Sequence, residues 1–335
     1  MLRNPPAGPL TMYVSEGAMY LRKFAIAVYI TVGALAMTMP AFPEATSDQG
    51  QGRAIVTILP AKDRKAPVNI LQGNLEFKVN GKESSITDWT PLQGPNRNME
   101  LVILIDGSAR ASLGLQFDDI TGFIQSLPAN VKVAVSYMDA GRAILTEPLS
   151  TDHARVADGL HIPGGVVGSN ASPYLCLSDL AKNWPSKDHS AQREVIMITD
   201  GVDNYYPGFD PEDPYLRASI HDSFRAGLVV YSIYTPLRGR RDNTGFQSFA
   251  GRSLLTEVTE ATGGCSYWDG SNSSPVSFRP YFDNIAWRLQ NQYQLSFQSK
   301  LKGKPELQSM NLKVVDQEVA VFAPQKVFVT HPSAE

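Results

Sequence analysis

The segment Met99–Arg110 constrains the fold of this chain more than any other. Residues 101–105 are all apolar, and the run ends abruptly at Asp106, which is followed by Gly107 and Ser108. An unbroken apolar run predicts a strand that is buried on both faces, as in the middle of a parallel sheet. Ligands of open α/β sheets bind beyond the carboxyl ends of the strands, so Asp106 and Ser108 would offer hard oxygen ligands to a divalent cation there. The alternative is that Asp106 caps the following helix and Ser108 belongs to a turn.

Segments with helical and strand-like patterns alternate from residue 98 to residue 299. The strand predicted at Arg142–Thr146 is expected at an edge, antiparallel to its neighbour, and the last strand of the set is predicted at Tyr293–Ser299. This alternation predicts an α/β fold with a doubly wound, mostly parallel sheet and helices on both faces.

The segments on either side of this α/β domain have a different pattern. Residues 54–92 predict a small β-rich domain in which Asn80 and Gly81 form a tight turn. Short strand candidates without intervening helices return at residues 305–330. About 40 residues are marginal for independent folding, so the two flanking segments are expected to meet in one small β-rich lobe.

Residues 1–45 are predicted to be an export signal with an N-terminal extension. Arg22 and Lys23 precede the apolar run Phe24–Met37, which only Thr31 and Gly33 interrupt. Small-residue cleavage sites follow this run. The run is short for a membrane span, although an uncleaved N-terminal anchor is the alternative. The rest of the chain is therefore expected outside the cytoplasm, in the periplasm or the extracellular medium.

The charge balance and the missing motifs exclude several functions. A net charge of -3 indicates no concentrated basic face, so nucleic acid is not expected as a partner. The chain lacks a nucleophile elbow, a phosphate loop and a dinucleotide fingerprint, and its five histidines are scattered, so no enzyme is expected. A hydrolase built from Asp106, Ser108 and a distant histidine is the alternative. Cys176 and Cys265 are expected as free thiols, with a single bridge as the alternative.

A second buried-strand pattern also ends in an aspartate. Val195–Thr199 runs into Asp200, which is expected at the same edge of the sheet as Asp106. Between them in sequence, the loop 168–171 leads into a helix with Ser172 near its start. These three segments resemble the three loops of the metal-ion-dependent adhesion site in von Willebrand factor type A domains, and the similarity covers residues 98–299.

The resemblance implies a binding or scaffolding role and a set of metal ligands. The ion would be Mg²⁺ or Mn²⁺, and its ligands would be Asp106, Ser108, Ser172 and Asp200. The flanking segments, in particular Leu75–Lys82 and Asn291–Phe297, resemble those of the exported "VWFA-related" proteins that are common in Acidobacteria.

The first loop departs from the pattern of this family. The family has D-x-S-x-S at this loop, and here Arg110 replaces the last serine. A guanidinium can bridge two carboxylates, so Arg110 is predicted to take the place of the ion between Asp106 and Asp200. The site would then be degenerate and hold no cofactor. The alternative is that Arg110 points to solvent and the four ligands hold Mg²⁺ or Mn²⁺ weakly.

Two loops that follow strand ends are predicted to bind another protein. One contains Tyr205 and Tyr206, and the other contains Arg238, Arg240 and Arg241. Tyrosine and arginine are enriched where interfaces carry their binding energy. The alternative is that the tyrosines pack on the floor of their own loop and the arginines are merely solvated.

These patterns together predict an exported protein-binding module. Its partner would be another protein, and no membrane contact is expected beyond the possible N-terminal anchor. The alternative is a structural subunit of a cell-envelope assembly, in which the rim is inert and the β-rich lobe makes the contacts.

Overall fold

A computed structural model describes residues 49–61, 69–94, 97–109, 111–166, 168–206, 209–210, 212–236, 245–270, 275–315 and 318–332. The predicted export signal at residues 1–45 lies outside these ranges. Within them, no helix combines the length and the apolar character that a membrane crossing requires. Cys176 is a buried free thiol, and Cys265 is a partly buried one.

The described part of the chain forms fourteen strands and six helices. The strands are β1 (Gln49–Pro60), β2 (Leu75–Val79), β3 (Lys82–Glu83), β4 (Ser85–Pro91), β5 (Met99–Asp106), β6 (Lys132–Asp139), β7 (Arg142–Leu145), β8 (Gln192–Thr199), β9 (Leu228–Tyr234), β10 (Ser266–Tyr267), β11 (Gln292–Lys300), β12 (Glu306–Val314), β13 (Val319–Phe322) and β14 (Lys326–Val329). The helices are α1 (Phe117–Ser126), α2 (His153–Asp158), α3 (Pro173–Lys182), α4 (Pro214–Ala226), α5 (Gly245–Thr262) and α6 (Arg279–Leu289).

The central sheet has six strands in the order β10-β9-β8-β5-β6-β7. All neighbours are parallel except β7, which runs antiparallel to β6 at the edge, as the sequence predicts. Counted along the chain within this sheet, the order is 3-2-1-4-5-6 read from β7, which is a doubly wound topology. The order in which successive strands are added to the sheet therefore reverses between β5 and β8. Ligands of such sheets bind at that point.

Both faces of the central sheet are covered, which explains why its strands have unbroken apolar runs. Leu101, Ile103 and Ile105 pack on one face with residues of α1, α2 and α6. Val102 and Leu104 point to the other face, where residues of α3, α4 and α5 cover them. The predicted α/β fold with helices on both faces is thus confirmed.

The two flanking segments meet in one β-rich lobe. It has two antiparallel four-stranded sheets, β13-β1-β11-β4 and β14-β12-β2-β3, and their inward side chains share one apolar core. Asn80 and Gly81 form the predicted tight turn between β2 and β3, with φ of 48° and 73°.

One strand lies in a different sheet from the one predicted. β11 covers the segment predicted as the last strand of the α/β set, but it pairs antiparallel with β1 and β4 in the lobe. Its apolar residues Tyr293, Leu295 and Phe297 alternate with polar ones, and that period of two suits a sheet with one buried face. The alternation distinguishes β11 from the continuous apolar runs of the central sheet.

Polar side chains join the lobe to the α/β domain at the amino end of β8. Arg53 of β1 donates hydrogen bonds to the carbonyl oxygens of Ser190 (2.6 Å) and His189 (2.7 Å). Gln292 at the start of β11 donates from Nε2 to Oε1 of the buried Glu194 on β8 (3.0 Å). The lobe is therefore fixed at the end of the sheet opposite to Asp106.

Candidate functional site

The strand pairing brings two predicted site residues to one rim, and the loop before α3 brings a third to the same rim. β5 and β8 are parallel neighbours in register from Met99↔Gln192 to Ile105↔Ile198, so Asp106 and Asp200 both follow at the carboxyl edge. The third, Ser172, is the N-cap of α3, and its Oγ accepts from the backbone N–H of Leu175 (3.4 Å).

Asp106 lies at the centre of a closed hydrogen-bond network. Its Oδ1 accepts from the backbone N–H (2.9 Å) and the hydroxyl (2.6 Å) of Ser108. Its Oδ2 accepts from Nδ2 of Asn170 (2.6 Å) and from Oγ1 of Thr199 (2.7 Å). A carboxylate offers about four acceptor positions, so these donors use its whole capacity. Burial raises the pKa of Asp106, and the hydrogen bonds from Ser108, Thr199 and Asn170 oppose that shift.

A second carboxylate, Asp203, fixes the loop after β8. The hydroxyl of Ser172 donates to its Oδ2, and its Oδ1 accepts from the backbone N–H groups of Tyr205 (2.7 Å) and Tyr206 (3.2 Å). Burial raises the pKa of Asp203, while these hydrogen bonds lower it. The backbone that carries the two tyrosines is thus held by a buried side chain.

The loop residue Asn170 connects all three loops of the rim. It donates to Asp106 and accepts at Oδ1 from Nδ2 of Asn204 (2.7 Å). Asn170, Thr199 and Asp203 are not among the residues that the sequence predicts for the site. Asn170 and Thr199 could have been found from their positions in the sequence, because Asn170 lies two residues before Ser172 and Thr199 directly precedes Asp200.

Asp200 is held between β8 and α5. It is 3% exposed, and its Oδ1 accepts from the backbone N–H of Val202 (3.0 Å). A Cβ atom at Gly251 of α5 would lie 2.1 Å from the carbonyl oxygen of Asp200. Only glycine therefore lets this helix approach the loop so closely.

The described residues do not fit a metal site that uses Asp106 as a direct ligand. Hydroxyl and carboxylate oxygens are the donor type that Mg²⁺ prefers. However, Asp106 has no acceptor position left for an ion, because four donors already occupy its two oxygens. Arg110, the predicted substitute for the ion, lies outside the described ranges.

Exposed aromatic side chains surround this polar network. Tyr205 is 56% exposed and Tyr206 is 43% exposed, and their ring centroids lie 5.3 Å and 5.9 Å from that of Tyr215. Further along the same loop, the ring of Phe209 lies 6.2 Å from that of Phe249 on α5. The basic loop predicted as the second contact, with Arg238, Arg240 and Arg241, is outside the described part of the chain.

No protein-family model matches this chain, and no curated protein matches it. Among solved structures, it is similar to an aerotolerance-related membrane protein from Bacteroides fragilis NCTC 9343, with 16% identity over 57% of this chain and 98% of that chain and a TM-score of 0.39. It is also similar to BatB from Bacteroides thetaiotaomicron, with 17% identity over 57% of this chain and 97% of that chain and a TM-score of 0.37. The pilus adhesin SpaC from Lactobacillus rhamnosus GG is 11% identical over 80% of this chain and 49% of that chain, with a TM-score of 0.43. At such identities the functions of those proteins do not carry over to this chain.

Proposed function

We propose that this chain, whose central domain has a von Willebrand factor A-like fold, is a protein-binding module that engages its partner through the rim at the carboxyl ends of β5 and β8. The observation that carries the proposal is the pair of exposed tyrosines on a loop that Asp203 holds in place. Tyrosine is enriched at the residues that dominate interface energies. Because Asp203 already holds the backbone of Tyr205 and Tyr206, placing these two residues in an interface costs little further conformational entropy.

Phe209 of the same loop forms a second exposed aromatic pair with Phe249 of α5. Phe209 is 43% exposed and Phe249 is 54% exposed, and the two rings are in edge contact. Contiguous exposed apolar surface on a folded domain is typical of a protein–protein contact. On the basis of the predicted export signal, this contact would form outside the cytoplasm.

The rim would bind without a metal ion and without catalysis. Four buried hydrogen-bond donors already satisfy the carboxylate of Asp106, so no bound cation is needed to stabilise this carboxylate in the protein interior. The hydroxyl of Ser108 donates to Asp106. The rim would therefore act through the surface that it offers to a partner. The alternative function, a hydrolase, would give a different result. The native chain would then turn over a compound in a broad substrate screen, and Asp106→Asn would abolish that turnover.

The proposed role of the rim is tested by binding assays with matched variants. We expect Tyr205→Ser combined with Tyr206→Ser to weaken the affinity for a captured partner by at least about tenfold, as for hot-spot tyrosines. Leu71→Ser is the control, since Leu71 is 65% exposed but lies in the lobe. The measurement is capture by the full exported chain followed by titration of the captured protein.

The opposite pattern would contradict the proposal. A partner that still binds the tyrosine variant, but is lost from Leu71→Ser, would show that the lobe makes the contacts. The chain would then be a structural subunit with an inert rim.

The absence of a metal requirement is tested by thermal unfolding. We expect an excess of Mg²⁺ or Mn²⁺ to shift the Tm of the native chain by less than about 1 °C, because a ligand that does not bind the folded state does not stabilise it. Arg110→Ser is the matched variant: it removes the cation and restores the D-x-S-x-S pattern with a hydroxyl ligand that needs no acceptor position of Asp106, so a metal-dependent rise in Tm is expected for it. A rise of several degrees in the native chain would overturn the metal-free site.

A further inference from the structure

A cleft of about 820 Å³ lies between the lobe and the α/β domain. It is at the amino end of β8, whereas the rim with Asp106 and Asp200 is at the carboxyl end of the same sheet. β1, β11 and β14 of the lobe form one wall, and the other is formed by the end of α4 and the segment that leads into β8. The cleft is therefore independent of the proposed partner-binding rim.

The charged groups that line this cleft are all arginines. They are Arg53, Arg193 and Arg225, and no aspartate or glutamate lines the cleft among the described residues. The carboxylates of Asp188 and Glu194 are adjacent in sequence to cleft residues. Asp188 accepts hydrogen bonds from Ser190 and Asn98, and Glu194 accepts from Gln192 and Gln292. In the described ranges, no carboxylate forms an ion pair with any of the three arginines.

Two of these guanidinium groups are largely withdrawn from water and bonded only to neutral groups. Arg53 donates to three backbone carbonyls of residues 189–191. Arg193 is 7% exposed, donates to the carbonyl oxygens of Asp188 (3.2 Å) and Ala226 (3.5 Å), and has no partner for its buried Nε. Burial lowers the pKa of Arg53, the positive charge of Arg193 lowers it further, and the carboxylate of Asp188 opposes both effects. Burial also lowers the pKa of Arg193, against the opposing charges of Glu100 and Asp188. Two like charges that are held close together in this way are stabilised by an anion placed beside them.

The third arginine supplies an exposed charge at the mouth of the cleft. Arg225 is the penultimate residue of α4, and its guanidinium lies over the ring of Phe328 at 4.7 Å. Stacking on an aromatic ring restricts the side chain and leaves the N–H donors at its edge available for a ligand.

We propose that this cleft binds the carboxylate groups of an acidic peptide segment. A planar guanidinium group binds a carboxylate through two parallel hydrogen bonds. Three guanidinium groups, those of Arg53, Arg193 and Arg225, line this one cleft. A volume of about 820 Å³ exceeds what a single small anion fills and suits a ligand of several residues. Polar side chains of Gln51, Thr87 and Gln298 also line the cleft and provide hydrogen-bond partners for a peptide backbone.

The test uses the full chain and two labelled octapeptides. One alternates aspartate with glycine, and the other has asparagine in place of aspartate. We expect the aspartate peptide to bind in fluorescence polarisation, with an affinity that falls as salt rises, and the asparagine peptide to bind at least about tenfold more weakly.

Arg225→Gln is the first variant, because Arg225 is exposed and makes no hydrogen bond that the fold needs. We expect it to weaken binding of the aspartate peptide by about tenfold. Arg217→Gln is the matched control on the same helix, since Arg217 lies near Glu212 and Glu257 and not in the cleft. Arg193→Lys is the second variant, and it keeps the charge while losing the planar fork.

Three results would overturn the proposal. They are equal binding of the two peptides, equal losses from Arg225→Gln and Arg217→Gln, and displacement of the aspartate peptide by an equal concentration of inorganic phosphate. The last result would identify a site for small anions rather than for a peptide. Thermal unfolding of each variant separates loss of binding from loss of fold, and Arg225→Gln decides the question if Arg193→Lys does not fold.

Discussion

The substitution Asp106→Ala is expected to lower the free energy of unfolding by about 3–5 kcal/mol, because each buried donor left without an acceptor costs about 1–3 kcal/mol. The carboxylate is fully buried and accepts four hydrogen bonds, from Ser108, Asn170 and Thr199. Alanine would leave all four donors unsatisfied in a space closed to solvent. Urea unfolding of the native chain and the variant measures the difference.

Two further substitutions separate the hydrogen bonds from other causes. Asp106→Asn keeps the size of the side chain but directs an NH₂ group at two of the donors, so a loss of similar size is expected. Asp139→Ala is the control, because Asp139 ends the neighbouring strand β6 at the same rim and is exposed. Its expected effect is within about 0.5 kcal/mol. A loss below about 1 kcal/mol for Asp106→Ala would mean that water replaces the carboxylate as acceptor.

The stability of the chain is expected to fall as the pH rises from 5 to 9, because of Glu194. Burial raises the pKa of Glu194 from 4.5 to about 8, against the opposing effects of Gln192, Gln292 and Arg97. Between these two values the folded state binds a proton that the unfolded state has released. Stability is thus fully present below pH 4.5 and is lost as the pH passes through 8, by on the order of 4 kcal/mol.

Glu194→Gln isolates this effect from other titrating groups. Glutamine has the shape of the protonated acid and keeps an oxygen for the hydrogen bonds from Gln192 and Gln292. We expect the difference in unfolding free energy between variant and native chain to grow with pH in favour of the variant. Parallel pH curves for the two proteins would contradict a protonated Glu194 at neutral pH.

The sequence predicts the position of the site better than its bonding. The apolar runs before Asp106 and Asp200 require strands buried on both faces, and neighbouring parallel strands must end at one rim. The hydrogen-bond partner of the Ser172 hydroxyl is not predictable in this way. The hydroxyl donates to Asp203, and this bond depends on the exact path of the loop backbone, which the spacing of residues does not encode. For the same reason the bonds by which Asn170 joins the three loops are not predictable from its position beside Ser172.

The wrong assignment of β11 to the central sheet has a simpler explanation. β11 follows α6 after only two residues, as expected for the next strand in an alternation of strands and helices, so its position along the chain favours the central sheet. The alternation of Tyr293, Leu295 and Phe297 with polar residues carried the contrary information. Periodicity within a strand reports which faces are buried, and here it was a better guide than the order of elements.

The pairing of β1 with β11 determines the order in which the molecule can assemble. Gln49 pairs with Lys300, so β1 is synthesised about 240 residues before its partner is available. The central sheet depends on strands much nearer in sequence and is complete by β10. During this delay the apolar stretch 54–59 of β1 lacks both of its neighbours, β11 and β13. A chain that stops short of residue 292 would retain this open strand permanently and would be prone to aggregate through it.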